Sequence, residues 1–250
     1  MAATKLLTFA NAKTPKGEAL GYLTGILYFA PYDLSGHMVC AFADVAKCHG
    51  PCLNLAGRGA FSATQEARIR KTRWFFEDRD AFMRQLVWDV EAVQRKADRL
   101  GLRPVVRLNG TSDVVWERFE CVRGHIVAPN IFAAFPEMQF YDYTKIVKRL
   151  YEPIEPNYHL TLSYSEASRM FARRVWKTHA DTDCGVAIVV RDDVVKQKWI
   201  DCPVFHTVDG DLNDLRFLDD PASIVLLKAK GPARRDQSGF VLDGLATVNT

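Results

Sequence analysis

Hydrophobic and polar positions alternate along this chain in two rhythms. Short β-branched or aromatic runs, each closed by a polar cluster, are separated by longer segments whose apolar residues recur at helical spacing. The first run covers residues 25–30 (Gly25-Ile26-Leu27-Tyr28-Phe29-Ala30) and stops at Pro31. A long helix is predicted over 62–100, with Phe75, Phe76, Phe82, Met83, Leu86, Val90 and Val93 on one spacing and Gly101 as its stop signal. Further strands are predicted at 103–108, 138–141, 158–162, 185–190, 204–208 and 223–227, with a helix over 167–177. No full helix fits between the last two strands, so their relative direction stays open.

Strand and helix in alternation predict an α/β fold of βα units, read as a single domain over 1–250: a (β/α) barrel or partial barrel of six to seven mainly parallel strands. A doubly wound open sheet is the alternative, and both put their chemistry at the C-terminal ends of the strands.

Composition adds little to that picture. With 48% hydrophobic and 25% charged residues the chain is ordinary globular material. No run of about 18 apolar residues occurs, and Met1-Ala2-Ala3-Thr4-Lys5 lacks the charged-then-apolar profile of a secretory signal. A cytoplasmic protein with no membrane partner is expected. The net charge of +3 is too small to argue for nucleic acid on its own, which leaves two basic clusters, 67–73 and 228–235, as local candidates.

Cysteine placement changes the picture more. Cys40, Cys48 and Cys52 fall within one segment directly after the first strand, in the spacing Cys-x7-Cys-x3-Cys, while Cys121, Cys184 and Cys202 are scattered. In a chain read as cytoplasmic, clustered thiols point to metal ligation rather than disulfides. Three thiolates suit a 4Fe-4S cluster with one open iron; zinc would recruit His37 or His49 as a fourth ligand; unligated packing is the bland reading. Gly57-Arg58-Gly59 follows as a cationic turn.

The other strand ends carry weaker signals. Asn109-Gly110-Thr111-Ser112-Asp113 offers an amide, hydroxyls and a carboxylate, suited to binding a ligand and equally to capping a helix. Tyr143 and Lys145 in Tyr141-Asp142-Tyr143-Thr144-Lys145 fit acid/base roles or a solvated helix start. Ser163 and Glu166 close the next strand, and Asp211, Asp214 and Arg216 follow a later one, where the calcium-loop spacing fails.

The segment 21–28 with the cysteine cluster, the segment 107–113, and Phe140-Tyr141-Asp142-Tyr143-Thr144-Lys145 together resemble the phage and plasmid family of "gene product eighty-eight" proteins, over nearly the whole chain through Phe240. That resemblance implies a mobile-element origin and carries no settled biochemical activity. A three-cysteine loop after the first strand of a partial barrel is also similar to radical S-adenosylmethionine enzymes, although their usual loop is Cys-x3-Cys-x2-Cys. This second likeness implies a 4Fe-4S cluster on Cys40, Cys48 and Cys52. It also implies S-adenosylmethionine held by Asn109, Ser112, Asp113, Ser163 and Glu166, with Lys145, Tyr143, Asp211, Asp214 and Arg216 facing a small-molecule or nucleotide substrate. Two other readings stand beside it: a non-enzymatic accessory that binds nucleic acid or protein, with structural zinc or no metal, and a metal-free enzyme using Lys145, Glu166 and Asp211.

Overall fold

The computed structural model describes residues 5–9 and 14–246, with backbone alone for Leu55. Met1 to Thr4, part of the N-terminal segment read above, lie outside the described residues. In chain order the described elements are β1 (Leu7–Thr8), α1 (Thr14–Glu18), β2 (Tyr22–Leu27), α2 (Tyr32–Ser35), α3 (Ser62–Glu77), α4 (Arg79–Leu100), β3 (Arg103–Arg107), β4 (Cys121–Arg123), β5 (Ile126–Ala128), α5 (Ile131–Ala134), β6 (Gln139–Thr144), β7 (Tyr158–Ser163), α6 (Arg169–Thr182), β8 (Val186–Val190), α7 (Asp193–Ile200), β9 (Thr207–Asp209), β10 (Ile224–Lys228) and β11 (Val241–Leu242). No described helix is long and apolar enough to cross a membrane.

Nine strands form one mostly parallel sheet in the order β1-β2-β3-β6-β7-β8-β10-β9, with β11 on β8. Strands β4 and β5 make a separate antiparallel hairpin. The mixed α/β expectation therefore holds. Six strands, β2, β3, β6, β7, β8 and β10, stand side by side in chain order, and the pairs β2–β3, β3–β6, β7–β8 and β8–β10 are parallel. A doubly wound sheet reverses its strand order part-way, and this series does not. The path ends at β1 and at β9, so the described strands do not close into a barrel. The direction left open by the missing helix is resolved: β9 runs parallel to β10, on its outer side.

By internal contacts the chain divides into two compact units, Met1–Val39 with Ser62–Asp142 and Ile154–His159, and Cys40–Phe61 with Tyr143–Pro153 and Leu160–Thr250.

In the first unit α4 packs on β2 and β3, and an aromatic cluster of Phe29, Phe75, Phe82 and Trp116 is fully enclosed. Phe75 lies 5.3 Å from Phe82 and 5.2 Å from Trp116, centroid to centroid. The helix predicted over 62–100 is interrupted. Asp78 leaves helical geometry at φ −143° and its carboxylate accepts from the Ala81 N–H (3.0 Å), capping α4. A continuous apolar period hides such a cap, because the residues on either side keep the same spacing. Gly101 ends α4 with φ 65°, as the stop signal predicted.

In the second unit Leu162, Val175, Ile188, Trp199 and Leu226 form a fully buried core. Here the edge of β8 is shared. β7 pairs with it at Leu162↔Val186 and Ser163↔Ala187, and β11 takes over at Val241↔Val189 and Leu242↔Val190. The substitution delivers Gly239 and Phe240 to the end of β7. Arg191 fastens the incoming segment: its guanidinium donates to the carbonyls of Ala233 (3.2 Å), Arg234 (3.0 Å) and Asp236, and to the Asp243 carboxylate (2.7 Å). Three carbonyls lose a charged donor in Arg191→Met, at a cost of about 2 kcal/mol, whereas the exposed Asp243 pair adds little. The expected outcome is a melting temperature lower by about 4–8 °C and faster tryptic cleavage after Arg234 or Arg235, read by mass spectrometry.

Candidate functional site

The turn after β3, in the first unit, is built around Asn109. Its N–H donates to Asp142 Oδ1 (2.7 Å) and its Nδ2 to the Val114 carbonyl (3.0 Å). Its Oδ1 accepts from Ser112 Oγ (2.8 Å), the Val114 N–H (2.9 Å) and Trp116 Nε1 (3.2 Å). Asp142, buried on β6, also accepts from the Tyr158 hydroxyl (3.0 Å). Thr111 Oγ1 donates to the Phe29 carbonyl (2.6 Å). Asn109 and Ser112, expected as cofactor contacts, thus commit their side chains to shaping the turn. Asp113 is half-buried and tied through its N–H to the Val39 carbonyl (2.8 Å). Only glycine fits at 110, since a Cβ there would stand 2.6 Å from the Leu27 carbonyl and from the Tyr28 ring.

In the second unit the cysteine loop is held at several points. Ser165 Oγ, at the end of β7, donates to the Ala46 carbonyl (2.8 Å), and Ser238 Oγ donates to the Lys47 carbonyl (3.3 Å). Phe42 packs on Phe171 of α6, ring centroids 6.2 Å apart. The 3-10 turn Leu53–Leu55 lies against the 3-10 turn Gly231–Arg235. Cys40, Cys48 and Cys52 are half-buried. Cys52 Sγ accepts from the Asn54 N–H (3.4 Å), a bond that stabilises negative charge on sulfur. Lys47, at φ 52°, turns the chain into Cys48.

Two further predicted residues meet on this unit. Lys145 Nζ donates to Ser163 Oγ (2.7 Å) and sits 5.3 Å over the Phe240 ring. Tyr143 is half-buried with its hydroxyl enclosed. Glu166 accepts from the Tyr164 hydroxyl (3.4 Å), which burial and the adjacent carboxylate push up to about 12. The Glu166 N–H donates to the Gly239 carbonyl (2.8 Å). Gly239, at φ +91°, permits this approach: a Cβ would stand 2.8 Å from the Ala167 nitrogen.

Asp211, Asp214 and Arg216, expected to face a substrate, have partners within the protein. Asp211 accepts from Lys196 (3.0 Å), Lys230 (2.8 Å) and the Lys228 N–H (2.9 Å). Burial opposes its charge, yet these donors hold it below the usual carboxylate range. Asp214 is buried, and Arg216, 1% exposed, turns inward to Asn213 and Asp219. Acidic residues after a strand look alike in sequence whether they face solvent or an internal lysine. The histidines proposed as zinc ligands also lie apart in role: His37 stacks on Phe76 at 4.4 Å, and His49 is exposed. Among the described residues no three His, Cys, Asp or Glu side chains gather to hold a metal ion.

The family model described as gene product 88 matches residues 5–244. The chain belongs to the gene product 88 family. No curated protein and no solved structure matches it. What the sequence did not disclose in this family member is the support of the cysteine loop: Ser165, Ser238 and Arg191 are single polar residues whose partners lie 119, 191 and 42 to 52 positions away. No local pattern marks such contacts.

Proposed function

We propose that this gene product 88 protein is an iron–sulfur enzyme of the radical S-adenosylmethionine type. The observation that carries the reading is six strands in unbroken chain order with a three-thiol loop after the first of them, β2, followed by a polar cluster after each of the next. The thiols have the donor chemistry a cluster needs. A cluster held there would supply the electron for reductive cleavage of S-adenosylmethionine.

The chain's own residues have separable parts in this reading. Cys40, Cys48 and Cys52 ligate, with the Asn54 N–H favouring thiolate at Cys52. Ser163 Oγ accepts from Lys145 and keeps its own O–H to donate to a ligand. Glu166 offers a carboxylate to an amino group and Lys145 faces the substrate, while the enclosed Tyr143 hydroxyl stays behind it. Ser165 and Ser238 keep the loop in place.

Iron, sulfide and zinc are measured on protein purified without oxygen, beside variants with alanine at Cys40, Cys48 and Cys52. About four irons with broad absorption near 400 nm, lost in the variants, is the expected result. One zinc, or no metal at all, overturns the reading.

A further inference from the structure

In the second unit several basic side chains have an acidic partner. Lys148 pairs with Glu152, Lys177 with Asp181, Lys196 and Lys230 with Asp211, and Lys228 with Asp193. Among the described residues Arg173 and Arg174 on α6 and Lys198 on α7 do not, and neither do Lys47, Arg58, Arg169, Arg234 and Arg235, all exposed. The last five lie on the cysteine loop or on the two segments fastened to it. Lys47 and Arg58 belong to the loop itself. Arg234 and Arg235 lie in the turn against Leu53–Leu55, and Arg169 opens α6, whose Phe171 packs on Phe42. The nearby Asp236 carboxylate is turned inward, accepting from Ser238 Oγ (2.8 Å) and the Val241 N–H (3.1 Å).

Large apolar side chains stand among these cations. Phe61 is 64% exposed and caps the 3-10 turn that carries Arg58, its N–H donating to the Arg58 carbonyl (3.3 Å); Leu53 is 52% exposed. Burial would be the default for a phenylalanine. Unpaired arginines that fork onto phosphate, interleaved with an open aromatic face, are the requirements for holding a nucleic-acid strand whose bases are unstacked.

We propose that the rim of the cysteine loop binds single-stranded nucleic acid, with Arg58, Arg234 and Arg235 on phosphates and Phe61 stacked on a base. The proposal rests on the enzyme reading only for the chemistry that would follow binding, namely that the substrate is a nucleotide within a strand.

The test is fluorescence anisotropy with labelled thirty-nucleotide oligothymidylate and oligouridylate and with a duplex of equal length, on protein with and without iron. Wild type is expected to bind the single strands more tightly than the duplex, and to weaken steeply with salt. Replacing Arg58, Arg234 and Arg235 together by Gln lowers the slope of log affinity against log salt by about 2, at about 0.7 per phosphate contact. Phe61→Ala weakens binding about tenfold and leaves that slope unchanged. All four side chains are exposed, so the variants should melt with wild type, and a matched melting temperature shows that they fold. Absence of salt-dependent binding, preference for duplex, or variants that bind as wild type overturns the proposal. Binding with no iron in any preparation supports it while removing the enzyme reading; iron without binding does the reverse.

Discussion

Asp142→Ala is expected to lower the melting temperature by on the order of 10 °C, measured by calorimetry at neutral pH. Asp142 is 1% exposed and accepts from the Asn109 N–H (2.7 Å), Asn109 Nδ2 (3.4 Å) and the Tyr158 hydroxyl (3.0 Å). Truncation leaves these donors buried without that acceptor, a loss of about 3–5 kcal/mol, and a chain of this length shifts by about 2–4 °C per kcal/mol. Tyr158→Phe removes one donor and no acceptor, and is expected to cost about 1 kcal/mol. Equal effects of the two substitutions would mean that Asp142 is not the hub of the 109–113 turn.

Lys196→Met is expected to destabilise the second unit by about 2–3 kcal/mol. Lys196 is 6% exposed and lies between the carboxylates of Asp209 and Asp211. Removing it leaves two like charges facing each other, a cost of about 3 kcal/mol for a fully buried pair, discounted because the Asp209 side chain keeps 34% of its surface in water. The pH dependence has a definite sign. Asp211 titrates below its ordinary value in the folded state, so its contribution is present above about pH 4 and fades as pH falls below that. For Lys196, burial works against the charge but both carboxylates outweigh it and raise its pKa, so its contribution persists at neutral pH and fades only above the usual lysine range. The melting-temperature gap between wild type and Asp211→Asn should therefore be widest near pH 7 and narrow at pH 3. A gap that widens in acid would refute the ion network.

Legibility in the sequence followed the range of the interaction. Strand runs such as Val186–Val190 and the stop at Gly101 depend on residues within one or two turns of each other, and both lie where the pattern puts them. The Asp78 cap is also local, yet it is hidden because it keeps the apolar spacing of α3 and α4 in step. β11 is not legible locally, because two residues, Val241 and Leu242, make a strand only against the edge that β7 leaves open on β8. Among the candidate residues, Lys145 and Ser163 meet, while Asn109, Asp211 and Arg216 turn out to hold the protein's own loops.

By itself the sequence determined the α/β alternation, the position of the cysteine loop after the first parallel strand, and membership of the gene product 88 family, since each is written in periodicity or in contiguous motifs. Tertiary structure alone decided the strand order, the sharing of β8 between β7 and β11, and which polar residues are internal braces. A side chain's hydrogen-bond partner across a hundred residues is set by how the sheet stacks, and residue type alone does not encode it.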